Sequence, residues 1–366
     1  MESAAKAISE LSLSRIGTWP KVRVLAWNDE ALYGCTGYEL RRAFPAQPEV
    51  SWVKVGEFNP VWWRRLSSSF KLTSRLCRDG FHALAPLSGE GFVAAVPGAI
   101  VTQKAGAREF RPTHQITRGT RPLNITVTKD DWLFWGEYFD NAERAEVHIY
   151  GSQDRGESWH VVHTFPRGSI RHVHNVVYDR WEDCLWVLTG DYEQECKVVR
   201  ASCDWKNVEL VLSGNQQARA VSMVPTQDAM YFASDTPLED NFIYRMDRRG
   251  ELTRLARINN SSLYGCRAGG QIFFSTMVEP SEVNTDGQAH VYGSGDGLSW
   301  QMLLAWDKDR WPMALFQYGN AILPTGENPT DLLAVSGLAV KGHDLQTTIW
   351  RINKSNHSNH DPESPQ

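Results

Sequence analysis

His172 and His174 stand two residues apart in the run HVHNVVYD, and Asp191 closes the run CLWVLTGD that follows. In an extended strand that spacing puts both imidazoles on one face, where they could meet one ligand or one metal ion. A carboxylate returning beside them suits a divalent cation, or a histidine base eliminating across a uronate. Two histidines that only hydrogen-bond to their surroundings fit the same pattern. No cofactor is settled by the sequence, and a divalent metal held by His172 and His174 stays open.

Other chemistry-bearing residues recur at comparable places. Arg121 precedes Glu137 and Tyr138, Arg219 precedes Asp235, and Tyr264 precedes Glu279, each pair spanning a short apolar run and its turn. Several carboxylates around one pocket suit glycoside hydrolysis, in which one acid protonates the leaving oxygen and another group acts as base or nucleophile. Glu137, Asp191, Asp235 and Glu279 are the candidates for that work. Arg121 and Arg219 would pair with a carboxylate or sulfate on an acidic glycan, because guanidinium meets planar oxyanions through two parallel hydrogen bonds. His172, His174, Tyr138 and Tyr264 complete the substrate-binding set. A ring of salt bridges, for instance Arg121 with Asp191 or Arg219 with Glu279, would use the same residues without chemistry.

These residues need a scaffold that brings distant segments to one place. A unit of roughly 45 to 50 residues recurs, each copy reading as four short strands separated by turns. Copies begin near Val22, Phe81, Arg121, His172, Arg219, Ser262 and Trp311. The expectation is an all-β fold: a single β-propeller of seven four-stranded blades over residues 20–352, with six or eight blades left open. Residues opening each inner strand and closing the next would then converge on one central mouth. Helical periodicity is confined to residues 1–15, so residues 1–19 read as an N-terminal extension. The polar stretch 353–366 reads as a disordered tail.

Composition excludes some partners. The formal charge of −5, with both signs interspersed, supplies no basic field for nucleic acid. No run approaches the ~20 apolar residues of a membrane span, and residues 1–20 lack the layout of a secretory signal. The six cysteines are irregularly spaced and form no CxxC pair. The expectation is a cytoplasmic protein with free thiols and a glycan, acidic or otherwise complex, as its partner. Its oligomeric state is left open.

The segment Ser152-Gln-Asp154-Arg-Gly156-Glu-Ser158-Trp159 resembles the Asp-box hairpin of bacterial neuraminidase (BNR) repeats, and Ser294-Gly-Asp296-Gly297-Leu-Ser-Trp300 is a copy one residue short. The resemblance is to the sialidase-like β-propeller superfamily. It implies a carbohydrate-active propeller in which the boxes themselves are structural. The chain departs from sialidases in lacking a Phe/Tyr-Arg-Ile-Pro motif near its start, and GTRP around Arg121 lies mid-chain. Sialidase activity is therefore not carried over. The readings that remain are a glycoside hydrolase, a metal-assisted polysaccharide lyase, and a non-catalytic propeller that binds a glycan or a protein.

Overall fold

The computed structural model describes residues 10–355. Almost all of its regular structure is antiparallel strand, gathered into four-stranded meanders around a central cavity: the protein is an all-β propeller. Five meanders form sheets of their own, covering 23–57, 83–115, 126–165, 172–213 and 220–258. The first of them takes on Thr325–Glu327 as a parallel fifth strand along Arg23–Asn28.

The sixth sheet departs from the expectation of seven separate blades, because it runs through eight strands. Gln271–Val278, in the meander 262–307, overhangs its neighbours. Its last residues, Met277 and Val278, pair with Asn320 and Gly319 of the next inner strand. Hydrogen bonding thus continues into Gly319–Ile322, Leu332–Leu338, Gln346–Ser355 and finally Glu10–Pro20. Backbone groups left at the end of a long strand take the nearest edge available.

That last pairing also corrects the extension assigned to residues 1–19. Glu10–Pro20 is a strand, antiparallel to Gln346–Ser355 from Glu10 opposite Ser355 to Pro20 opposite Gln346. The alternation Leu11, Leu13, Arg15 suits a strand, and Leu11 is buried in the core of this sheet. The disordered tail assigned to 353–366 begins too early, since Asn353–Ser355 continue the strand; residues 356–366 lie outside the described region. Helix occurs elsewhere, as Trp62–Ser67 and Lys71–Cys77 between the first two meanders and as Met313–Phe316. No helix among the described residues is long and apolar enough to cross a membrane.

Burial falls from the axis outwards. Second strands such as Phe92–Val96, Cys184–Gly190 and Gln271–Val278 are buried along their whole length, because neighbouring sheets cover both faces. Fourth strands such as Val208–Ser213 are largely exposed. Apolar clusters such as Phe134, Val176 and Leu185 bridge consecutive meanders. Polar ties reinforce them: Arg248 grips Asp179, which also accepts the Trp186 indole N–H at 3.2 Å. Arg75, 1% exposed, pairs with Asp309 at 2.5 Å and Asp344 at 3.1 Å, pinning Lys71–Cys77 to the closing sheet. All six cysteines are free thiols.

The 152–159 hairpin is closed as its residue types require. Asp154 Oδ1 accepts from Ser152 Oγ at 2.7 Å and from the Ser158 N–H at 3.0 Å, while Gly156 turns through φ 82°. A Cβ at Gly156 would lie 2.6 Å from Val93 Cγ2, so the hairpin seats on the preceding meander only with glycine there. Asp296 accepts the Leu298 and Ser299 N–H groups at 2.8 Å in the shorter copy. A third hairpin, not singled out in the sequence, uses Ser202 and Asp204, with Ser202 Oγ donating to Asp204 at 2.7 Å.

Removing residues 1–20 should lower the thermal unfolding midpoint by on the order of 10 °C, since it strips the outer strand from the closing sheet. Calorimetry of the full and shortened chains checks this, and an unchanged midpoint would mean that the ring does not depend on the terminal strand.

Candidate functional site

The central cavity has a volume of 1790 Å³ and is lined by inner-strand residues from every meander. Of the predicted residues, Arg121, Tyr138, His174, Asp191, Arg219, Asp235, Tyr264 and Glu279 line it. His172 is buried beside them, its ring centroid 4.3 Å from that of Tyr138.

Asp191 is the hub. Its position follows from Cys184–Gly190, whose wholly buried strand ends at the mouth. Its main-chain oxygen accepts from Gln216 Nε2 at 3.2 Å and Arg219 Nη1 at 3.1 Å, and Gln216 is itself fully buried. Its carboxylate meets His174 Nε2 at 3.1 Å and His172 Nε2 at 3.4 Å through Oδ1. Arg219 Nη2 also reaches Oδ1, at 3.3 Å, and Arg171 Nη1 lies 3.3 Å from Oδ2. Burial opposes its ionisation, but hydrogen bonds and charge from both histidines outweigh that and hold the carboxyl far below the ordinary range. Burial pushes the His174 imidazole below its usual value, against the pull of Asp191. Gly190 makes room for the pair, since a Cβ there would lie 2.6 Å from His174 Cε1.

Asp235 is the counterpart of Asp191 one meander on, and its environment is drier. It is 4% exposed; Arg219 Nε lies 3.5 Å from Oδ2, and Oδ1 has no hydrogen-bond partner in the structure. Burial pushes its carboxyl up to about 7, with Arg219 pulling down and Glu279 and Asp191 pushing further up. Glu279 is also raised by burial, opposed by Arg219, and it makes no ion pair among the described residues. Tyr138 faces all three carboxylates, and burial with their charge lifts its phenol to about 12. The cavity thus holds one carboxylate kept ionised and another that carries its proton near neutrality.

The opposite wall is basic. Arg121, Arg23 and Arg78 line the cavity and form no salt bridge among the described residues; Arg23 donates only to the Phe81 carbonyl. Burial and the other two guanidinium groups bring Arg121 down to about 10. Burial, then Arg121 and Arg23, push His82 well below its usual value. Cations packed together without carboxylates mark a place for an anion.

One catalytic candidate leaves the site. Glu137 does not line the cavity: Arg118 Nε donates to Oε1 at 2.9 Å, Arg118 Nη2 binds Oε2, and the His148 N–H donates to Oε2 at 2.8 Å. Side chains alternate beyond Leu133–Gly136, so turning Tyr138 to the mouth turns Glu137 away from it. The alternative ion pairs also fall out differently, since Arg121 meets no carboxylate and Arg219 pairs with Asp191 and Asp235 rather than Glu279. Arg23 opens the inner strand of the first meander, as Arg121 and Arg219 precede theirs, so the same register would have found it. Arg78 and His82 would not have been found: Arg78 ends a short helix in a left-handed turn at φ 52°, outside any repeat.

No family model matches the chain, and no curated protein matches it. Solved structures do. The WD40 β-propeller domain of Doa1 aligns at a TM-score of 0.55 with 10% identity, over 94% of this chain and 96% of that one. The β-propeller domain of Cps50 (Swd1) from Myceliophteria thermophila aligns at 0.56 with 11% identity, over 94% and 100%. A chain of the mitotic checkpoint complex aligns at 0.55 with 10% identity, over 96% and 98%. At such identities the likeness defines a propeller and says nothing of chemistry.

Glu137→Gln should cost about 1–3 kcal/mol of stability by weakening the Arg118 pairing, while ligand binding at the mouth persists. Chemical denaturation beside a binding assay reads both; unchanged stability with lost binding would return Glu137 to the site.

Proposed function

We propose that the protein is a carbohydrate-active enzyme that hydrolyses an acidic glycan at the central mouth of a seven-bladed ring, the eight-stranded sheet counting as two blades. The observation that carries this is Asp235, a buried carboxyl that lines the cavity beside Arg219 and is poised near neutrality. Such a group can give a proton to a glycosidic oxygen at physiological pH. As the bond from the anomeric carbon to that oxygen breaks, a water adds to the carbon and passes its proton to Glu279. Arg23, Arg78 and Arg121 hold the acidic groups of the sugar chain, and Tyr138 and Tyr264 pack on its rings. The resemblance of the 152–159 hairpin to sialidase-like repeats is consistent with this reading and adds no residue to it.

A second reading, elimination from a uronate, is favoured by one observation: His172, His174 and Asp191 converge on a single point. Incubating the chain with acidic glycans and recording both new reducing ends and unsaturated-uronate absorbance separates the two. Reducing ends without absorbance support hydrolysis, absorbance supports elimination, and tight binding without turnover identifies a glycan-binding propeller.

Under the hydrolytic reading, kcat/KM should fall as pH rises through about 7, where Asp235 loses its proton. Arg219 opposes the raising of that pKa, and Glu279 and Asp191 add to it. Asp235→Asn should lower turnover by about 10²-fold or more and remove that limb. The sign for stability is opposite. A carboxyl whose pKa is raised on folding costs stability once pH exceeds its unfolded value, so Asp235→Asn should be more stable than wild type above pH 7 and equal to it below about pH 4. A folded, equally active Asn variant would remove Asp235 from the mechanism.

A further inference from the structure

The histidine pair beside Asp191 is held in a way that hydrolysis does not use. His172 Nδ1 lies 3.1 Å from the Phe139 carbonyl oxygen and His174 Nδ1 lies 2.9 Å from that of Ala220. A carbonyl can only accept, so each Nδ1 carries a proton, and each ring in its neutral form turns an Nε2 lone pair inwards. The two Nε2 atoms are 3.2 Å apart, and Asp191 Oδ1 completes a triangle with sides of 3.1 and 3.4 Å. Three lone-pair donors facing one another repel unless something positive sits among them. One added proton satisfies one side of the triangle; a metal ion satisfies all three.

The dimensions fit the metal. Bonds of 2.0–2.1 Å in a tetrahedral site place neighbouring ligand atoms about 3.3–3.4 Å apart, close to all three sides. The Nδ1–H bonds to backbone carbonyls are the outer-shell contacts that orient metal-binding imidazoles. Tyr138 packs on the His172 ring, and the missing side chain at Gly190 leaves His174 its place. Charge agrees as well: Asp140, Asp191 and Glu279 face Arg171 and Arg219, an excess of carboxylates that a divalent cation would offset. His174 and Asp191 line the cavity, so a remaining coordination position opens onto it.

We propose that His172, His174 and Asp191 form a mononuclear site for a divalent first-row transition metal ion, open to water or substrate on the cavity side. Two histidines and a carboxylate select nitrogen-and-oxygen-binding ions such as zinc, iron(II), manganese(II) or cobalt(II). The other cluster of comparable make-up, Asp179, Glu182 and Cys184, offers no imidazole, and burial lifts its Cys184 thiol to about 11. The metal site stands independently of glycan cleavage, and its test uses no glycan.

The full chain, stripped with chelator, is titrated with zinc chloride in a calorimeter and with cobalt(II) in an absorbance cell. One equivalent should bind, with a cobalt spectrum free of thiolate charge transfer. Asp191→Asn, which keeps the side-chain shape, and His174→Ala should each weaken binding by at least about 100-fold, the upper range seen for outer-shell changes alone. Gly190→Ala should weaken it less, by crowding His174. Should His174→Ala fail to fold, the Asn and Gly190→Ala variants carry the test. The proposal is overturned if the wild-type chain takes up no equivalent at millimolar zinc, if Asp191→Asn binds as tightly as wild type, or if cobalt shows thiolate bands that vanish in Cys184→Ser.

Discussion

Everything at the mouth depends on one backbone pairing, that of Glu10–Pro20 with Gln346–Ser355. Each meander covers its neighbours through apolar faces, but those contacts alone do not tell the first sheet where the last must stop. Pairing the beginning of the described chain with its end does, because a register of hydrogen bonds is specific to one residue. Thr325–Glu327, lying along Arg23–Asn28, adds a second tie across the same seam. Once the ring is closed, inner strands far apart in sequence are fixed at one axis. The cavity is a product of closure rather than of any one blade.

A closed axis brings charges together whether or not they match. The protein sorts them by wall: carboxylates come from strands around 191, 235 and 279, guanidinium groups from segments around 23, 78 and 121. Arg219 stands between, touching Asp191 and Asp235 but leaving Glu279 unpaired. Buried charge is normally neutralised by the nearest partner. Keeping Arg23, Arg78 and Arg121 unpaired across a cavity from an unpaired Glu279 therefore costs stability.

The fold was largely legible in the sequence because strands and turns are local signals, and copies beginning near His172, Arg219 and Ser262 set their own boundaries. What escaped was pairing between distant segments. Leu11 and Leu13 look helical in isolation and become a strand only when Gln346–Ser355 offers an edge. Met277 and Val278 join two meanders through an overhang that no local pattern announces. At the site, the convergence of inner-strand ends was readable, which is why Asp191, Asp235, Arg219 and both histidines meet. Glu137 failed because one residue decides which way a strand end faces, and His148 and Arg118 settle that in space.

Asp191 and Asp235 show how one ring gives two carboxylates opposite characters. Both close a second strand at the same height, and both reach Arg219. Asp191 gains two histidines and Arg171, whereas Asp235 has the longer contact to Arg219 with the Ser261 hydroxyl beside it. The number of partners, rather than depth alone, therefore sets the charge: a carboxylate surrounded by donors stays ionised, and one without them keeps its proton. Two such groups at one mouth offer a ligand different things, one a fixed negative charge and the other a proton. The step of one blade between them sets the two apart in space, so a ligand lying across the axis can meet both at once.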